Sequence, residues 1–216
     1  MRTTDRLLCM LIMAGAALLL PSCDGIYDNP ADMTPTSGNG TFSYVDATSY
    51  TTWVYIDLAA GTQTSLPYDN TADIPSGWTF ALHRYDCRTN GGGVVETAYV
   101  SLDDLTGDLA EGRYTLPDAT EFVPDEDGEI TTDMSHMMDG YLVTAPSRLN
   151  KVMGRWLNVD TSTMPPAYTM SGRVYLVAAA DGTVGAVRFT AFSNPFDYDK
   201  KGYISFDYVY PLNNRQ

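Results

Sequence analysis

The chain has 216 residues, with 13 Lys and Arg against 27 Asp and Glu for a formal charge of −14, and it is 44% hydrophobic but only 19% charged. That balance excludes a disordered chain, which would be poorer in large apolar residues and richer in charge, and it excludes a nucleic-acid binder, because no run of Lys or Arg builds a basic face. Fifteen Tyr, seven Phe and three Trp beside 18 Gly and 12 Pro favour strands and turns, so the expected fold class is all-β, a single domain of antiparallel strands.

Arg2 and Arg6 precede an apolar run from Leu7 to Leu20, too short to span a membrane and followed directly by Leu20-Pro21-Ser22-Cys23. This reads as a lipoprotein signal peptide over residues 1–22, with Cys23 as the lipid attachment site and the acyl chain as the membrane anchor. Its removal takes two Arg and one Asp, leaving 194 residues and a charge of −15. Cys9 leaves with the peptide and Cys23 is lipidated, so Cys87 has no partner and no disulfide is expected. Cys87 lies in a strand pattern and reads as a buried, inert thiol. Residues 23–40 are rich in Asp, Asn, Pro, Thr, Ser and Gly and read as a flexible tether. The folded domain is expected over 41–216.

Within that domain, runs of alternating or apolar residues predict strands over Thr41 to Asp46, Tyr50 to Leu58, Trp78 to Tyr85, Val94 to Ser101, Arg173 to Ala179, Thr183 to Phe192 and Tyr203 to Tyr210. Ala180-Asp181-Gly182-Thr183 predicts a hairpin turned by a two-residue Asp-Gly loop with positive φ at both residues. In the last strand Ile204, Phe206, Tyr208 and Tyr210 share one face, which predicts half burial. Ser101 and Asp104 stand at capping spacing before a short helix ending at Ala110, weakened by Gly107.

Catalytic signatures are thin: there is no GxSxG elbow, no HExxH, no phosphate loop and no CxxC, and the only histidines are His83 and His136. The chain is read as a non-enzyme. Asp125-Glu126-Asp127-Gly128-Glu129 lacks the spacing of a calcium loop and reads as a solvated acidic loop. The anomaly is methionine. Six of the seven Met that remain after cleavage (Met134, Met137, Met138, Met153, Met164, Met170) fall within 37 residues, and only Met33 lies elsewhere. Met170 adjoins a strand and reads as core, and Met153 as core or pocket lining. Met134-Ser135-His136-Met137-Met138-Asp139-Gly140 and Thr163-Met164-Pro165-Pro166 are turn-forming sequence, where thioethers are poor core choices and candidate soft ligands for Cu(I) or haem iron.

Several blocks resemble one family in matching order along nearly the whole mature chain. They are Asp46-Ala47-Thr48-Ser49-Tyr50-Thr51-Thr52-Trp53-Val54-Tyr55; the run from Trp78 through His83-Arg84-Tyr85-Asp86 to Asn90; Trp156-Leu157 with Tyr168-Thr169-Met170-Ser171-Gly172-Arg173-Val174; Val187-Arg188-Phe189-Thr190; and Lys201-Gly202-Tyr203-Ile204-Ser205-Phe206 to Tyr210-Pro211. Together they resemble the HmuY family of haem-scavenging outer-membrane lipoproteins. The resemblance implies an all-β domain whose loops clasp haem b, at the cell surface, with transfer to a TonB-dependent haem receptor and host haem proteins as a possible source.

The family's founding pattern uses two His as axial ligands, and this sequence departs from it. Counted from Trp156 to Tyr168, the second ligand position falls on Thr161. By the resemblance, Met137 and Met164 are the expected axial pair, with Met138 and His136 as alternates on the first loop and reduced haem preferred. His83, in a strand block, is expected to be structural. Tyr141, Met153, Trp156 and Tyr168 are candidates to line the porphyrin slot, and Arg155 or Lys151 to meet its propionates. Two rival functions stand beside this: a surface glycan-binding lipoprotein using exposed aromatic platforms, and a Cu(I) protein using Met134, His136, Met137 and Met138.

Overall fold

The computed structural model describes residues 39–212. The signal peptide, Cys23 and nearly all of the expected tether lie outside the described residues. In chain order the first strands are β1 (Asn39–Asp46), β2 (Thr52–Asp57), β3 (Thr62–Pro67), β4 (Phe80–His83), β5 (Asp86–Thr89) and β6 (Gly93–Glu96), followed by the helix α1 (Leu102–Ala110). Next come β7 (Glu126–Asp133), β8 (Val143–Leu149), β9 (Leu157–Asp160) and β10 (Ala167–Met170). The last three are β11 (Val174–Ala178), β12 (Val184–Ser193) and β13 (Lys201–Val209).

Two antiparallel sheets carry the core, a five-stranded one in the order β1-β13-β12-β11-β6 and a four-stranded one in the order β3-β2-β4-β5. Val54, Ile56, Leu58, Phe80 and Leu82 of the smaller sheet meet Tyr175, Val177, Val187, Phe189, Ile204 and Phe206 of the larger one in one buried cluster. Each sheet is covered on its other face as well. Leu105 and Leu109 of α1 pack on Val174, Leu176 and Ala186, while Ile130 and Leu149 of the β7–β8 hairpin pack on Trp53, Tyr55, Trp78 and Ala81. Strands covered on both faces need apolar residues at every position, which is why β2 and β11 read as continuous apolar runs instead of alternating ones.

Helix α1 follows the expected bounds. Ser101 caps it, its Oγ accepting the Asp104 N–H at 3.2 Å. The last strand also shows the expected face, with Ile204, Phe206 and Tyr208 buried.

Four expectations need correction. The strand predicted over Val94 to Ser101 ends at Glu96, because Thr97 to Ser101 turn the chain into the helix cap, with Thr97 Oγ1 donating to the Val174 carbonyl at 2.8 Å. Asp125 to Glu129 is not a loop: from Glu126 on it is strand β7, with its carboxylates on the solvent side and Ile130 buried. The turn between β11 and β12 is a three-residue loop closed by Ala179 N–H on the Thr183 carbonyl at 2.8 Å, and among its residues only Gly182 has positive φ, at 82°. Finally, β1 begins at Asn39, inside the segment read as tether.

Candidate functional site

The methionine-rich window builds two hairpins with joined bases. Strand β7 pairs with β8 from Glu126 and Leu149 at the base to Asp133 and Val143 at the tip. Strand β9 pairs with β10 from Leu157 and Met170 at the base to Asp160 and Ala167 at the tip. The connector 150–156 links the two bases and is fixed in the core. Asn150 Oδ1 accepts the Met153 N–H at 2.9 Å. Asn150 Nδ2 donates to the Val123 carbonyl at 2.9 Å and to the Asp125 carboxylate at 3.1 Å. Trp156 lies flat on Phe189, with ring centroids 4.3 Å apart, and its indole N–H donates to the Tyr85 carbonyl at 3.1 Å.

Met153 and Trp156 are both 0% exposed, so neither lines a slot. They are core residues that hold the hairpin bases, which favours the core alternative for both over the slot-lining one. Tyr168 is half-buried, stacked on Phe192 at 5.4 Å and edge-on to Tyr85 at 5.8 Å, and it anchors the second hairpin with Met170 and Val159.

The first hairpin rests on a second anchor that the sequence did not show. The Arg88 guanidinium lies 4.4 Å over the Trp53 ring, 5.2 Å over Tyr55 and 5.6 Å over Trp78, and it hydrogen-bonds the Tyr55 hydroxyl. These rings form the floor on which Ile130 and Leu149 pack. Asp125 then ties the hairpin base to β5, accepting from Thr89 N–H at 2.8 Å and Thr89 Oγ1 at 2.9 Å.

At the tips the environment reverses. Met138 is 90% exposed, Met164 86% and Met137 50%. His136, Met137 and Met138 sit on one turn: a single 3-10 turn spans Met137–Asp139 and ends at Gly140 in the left-handed region, with φ 88°. His136 Nδ1 is 3.2 Å from the Asp139 carboxylate, and its ring stacks on Tyr141 at 4.7 Å and 12°. Met164 stands on the other tip, where its bond to Pro165 is cis. The structure therefore brings the first-loop candidates together and places Met164 on the neighbouring hairpin. No hydrogen bond, ion pair or ring contact among the described residues joins the two tips.

Both tip loops open in the same way. Asp133 Oδ1 accepts the Ser135 N–H at 2.7 Å, and Asp160 Oδ1 accepts the Ser162 N–H at 2.9 Å. Hydrogen bonds from Ser135 and Ser162 hold both carboxyls below the usual carboxylate range. These loop-setting aspartates were missed, although Asp133-Met134-Ser135 and Asp160-Thr161-Ser162 carry the Asx-turn signal in plain sequence.

Of the two basic candidates, Arg155 is paired to Glu96 at 2.8 Å, whereas Lys151 has no ion pair among the described residues. Both line a cavity of about 490 Å³ against the hairpin bases, with Cys87 in its wall. Cys87 is buried and its thiol pKa is pushed well up by that burial, so it is inert. His83 is buried, with Nε2 donating to the Tyr50 carbonyl at 2.8 Å and its ring 5.2 Å from Trp53, which is a structural role.

The HmuY protein family matches residues 49–208. Among solved structures, a protein named as a lipoprotein from Bacteroides fragilis is 44% identical, with a TM-score of 0.71 over 82% of this chain and 92% of its own. A protein named as HmuY-like and heme binding, from Bacteroides vulgatus, is 37% identical, with a TM-score of 0.71 over 87% and 97% of the two chains. The apo HmuY analog of Tannerella forsythia shares the fold at 24% identity, with a TM-score of 0.65 over 84% and 100%. No curated protein matches the chain. With the family matched across both sheets and both hairpins, the chain belongs to the HmuY family.

Proposed function

We propose that this protein is a haem-binding lipoprotein of the outer membrane, surface-exposed, which takes haem b through Met137 and Met164 and passes it to a TonB-dependent receptor. The observation that carries this reading is where apolar side chains meet water. Ten large hydrophobic residues are exposed among the described residues, and six of them, Met137, Met138, Tyr141, Leu142, Val143 and Met164, lie on the two hairpin tips. A folded chain leaves such a patch uncovered where something apolar will cover it. A porphyrin is apolar over its faces and needs soft or nitrogen donors at its centre, and the patch supplies both.

Haem supplies iron that accepts two axial donors. A thioether is a soft neutral donor and favours the ferrous state over the ferric one, so reduced haem is expected to bind more tightly. His136 is the alternate on the first tip. Its Nδ1 engages Asp139, which leaves Nε2 for a metal in the manner of histidine ligands oriented by a carboxylate.

The test is a haem titration of the chain freed of its first 23 residues, under air and under dithionite, beside a Met137→Ala/Met164→Ala double variant. A low-spin spectrum in the reduced parent that vanishes in the variant supports the reading. Equal binding by parent and variant, or none by either, sinks it. A Cu(I) site is the second reading, favoured by Met134, His136, Met137 and Met138 standing on one short loop, and copper found by elemental analysis of the purified protein would move it ahead.

A further inference from the structure

We infer that Met137, Met138 and Met164 are sites of reversible sulfur oxidation by hydroperoxides, and that oxidation at the ligating positions releases haem; the second half rests on the haem reading above. The argument starts from a census of sulfur. The only cysteine among the described residues, Cys87, is buried and its thiolate is disfavoured by that burial. Met153 is 0% exposed and Met134 and Met170 are partly covered. A peroxide arriving from solvent therefore meets the thioethers of Met138, Met164 and Met137, at 90%, 86% and 50% exposure, before any other described sulfur.

The chemistry closes without a further reagent. The sulfur lone pair attacks the hydroxyl oxygen of the peroxide, the S–O bond forms as the O–O bond breaks, and the proton of that hydroxyl passes to the second oxygen, which leaves as water or, from an alkyl hydroperoxide, as the alcohol. Sulfur is oxidised by two electrons and the peroxide is reduced by two. The product is a polar sulfoxide, which methionine sulfoxide reductases return to the thioether with two electrons and two protons from a dithiol, oxidised to its disulfide, the oxygen leaving as water. The step uses one of the two sulfur lone pairs and leaves the other on an electron-poor sulfur, a much weaker donor to iron. Oxidation thus replaces a soft donor with a hard oxygen at the position that favours ferrous iron. Since Met138 and Met164 stand almost wholly in water and Met137 is half exposed on the same turn as Met138, their oxidation leaves the fold intact, unlike oxidation of a buried methionine, which disrupts packing.

The experiment treats the mature apo chain with limiting hydrogen peroxide and follows each methionine by peptide mass spectrometry. Far-UV circular dichroism, thermal melting and reduced-haem titration follow on the same samples. Met138, Met164 and Met137 are expected to gain oxygen well before Met153, with an unchanged melt and loss of the low-spin haem spectrum. Treatment with both sulfoxide reductases should restore that spectrum. Oxidation of Met153 at the same rate as the tips, or an oxidised chain that holds reduced haem as tightly as the parent, overturns the inference. A parent that binds no haem, or a Met137→Ala/Met164→Ala variant that binds as the parent does, fails the haem reading instead and leaves the oxidation map standing.

Discussion

Replacing Trp156 by Phe separates support of the site from the site itself. The indole is 0% exposed, stacks on Phe189 at 4.3 Å and donates to the Tyr85 carbonyl at 3.1 Å. Phenylalanine keeps a ring on Phe189 but removes the N–H donor. Tyr85's carbonyl is then left with the weak Cys87 thiol donor at 3.8 Å. Losing one hydrogen bond costs about 1 kcal/mol, and stranding a buried carbonyl raises that to about 1–3. The smaller ring adds about 1 kcal/mol of unfilled volume, well short of the 3–5 kcal/mol of a full truncation to Ala. Trp156→Phe should therefore lose about 2–4 kcal/mol. In urea, with a slope of about 2 kcal/mol per molar for a domain of this size, the midpoint should fall by roughly 1–2 M. Far-UV circular dichroism is the readout, since the substitution removes a fluorophore. The reduced-haem spectrum at low denaturant should match that of the parent. An unchanged midpoint, or a changed haem spectrum at unchanged stability, would refute the assignment of Trp156 to the core instead of the ligand slot.

Glycine positions give an opposed pair. A Cβ on Gly92 would stand 1.9 Å from the Ala178 carbonyl oxygen, a backbone contact that cannot yield, so Gly92→Ala should split β6 from β11 and lower the melting temperature sharply. A Cβ on Gly107 meets nothing within 4 Å, so Gly107→Ala in α1 should stabilise by about 0.5–1 kcal/mol, read as a raised melting temperature. Arg88→Lys keeps the charge but not the planar stack on three rings; about 1–2 kcal/mol should be lost, with earlier proteolysis within the β7–β8 hairpin. For pH the sign follows from the depressed aspartates. Asp133 and Asp160 stabilise their loops above the ordinary carboxylate pKa of about 3.9, and that contribution is lost as pH falls through their lower folded values. Reduced haem held by two thioethers, which take up no proton, should thus stay bound from pH 7 to about 4 and be released below it, whereas a histidine donor competes with protons and would be lost earlier in the acid titration. Absorbance against pH separates the two.

What was legible in the sequence follows burial. Strands β11, β12 and β13 and helix α1 were read correctly, because each sets an apolar face on a core and its period shows. Strand β3 was invisible: its residues from Thr62 to Ser65 are all exposed, and it is held by its ladder to β2 without an apolar stripe. Strands β7 and β8 were hidden for the same reason, most of their residues facing solvent and only Ile130, Thr132 and Leu149 being buried. For the proposed site, the methionine count singled out the window that builds the two hairpins, and thioethers among turn formers marked the exposed ones. Composition could not say which way Met153 and Trp156 point, since a buried anchor and a pocket wall have the same residue preferences.

The two hairpins divide labour along their length. At the base, Asn150, Met153, Trp156 and the Arg88 stack are buried and mutually bonded, so a change there costs stability. At the tip, Met138, Thr161 and Met164 are exposed and Met137 is half exposed, and their loops are set by the Asp133 and Asp160 carboxylates accepting backbone N–H groups and by Gly140 in the left-handed region, none of which involves a methionine side chain. A tip residue can then change its donor atom at almost no cost to folding. On the proposed reading, Thr161 can therefore occupy the position that the family resemblance gives to an imidazole, with a thioether three residues further along the same loop. On the haem-binding reading proposed above, the scaffold would fix where a ligand can be offered and the tip sequence would set which iron state is preferred.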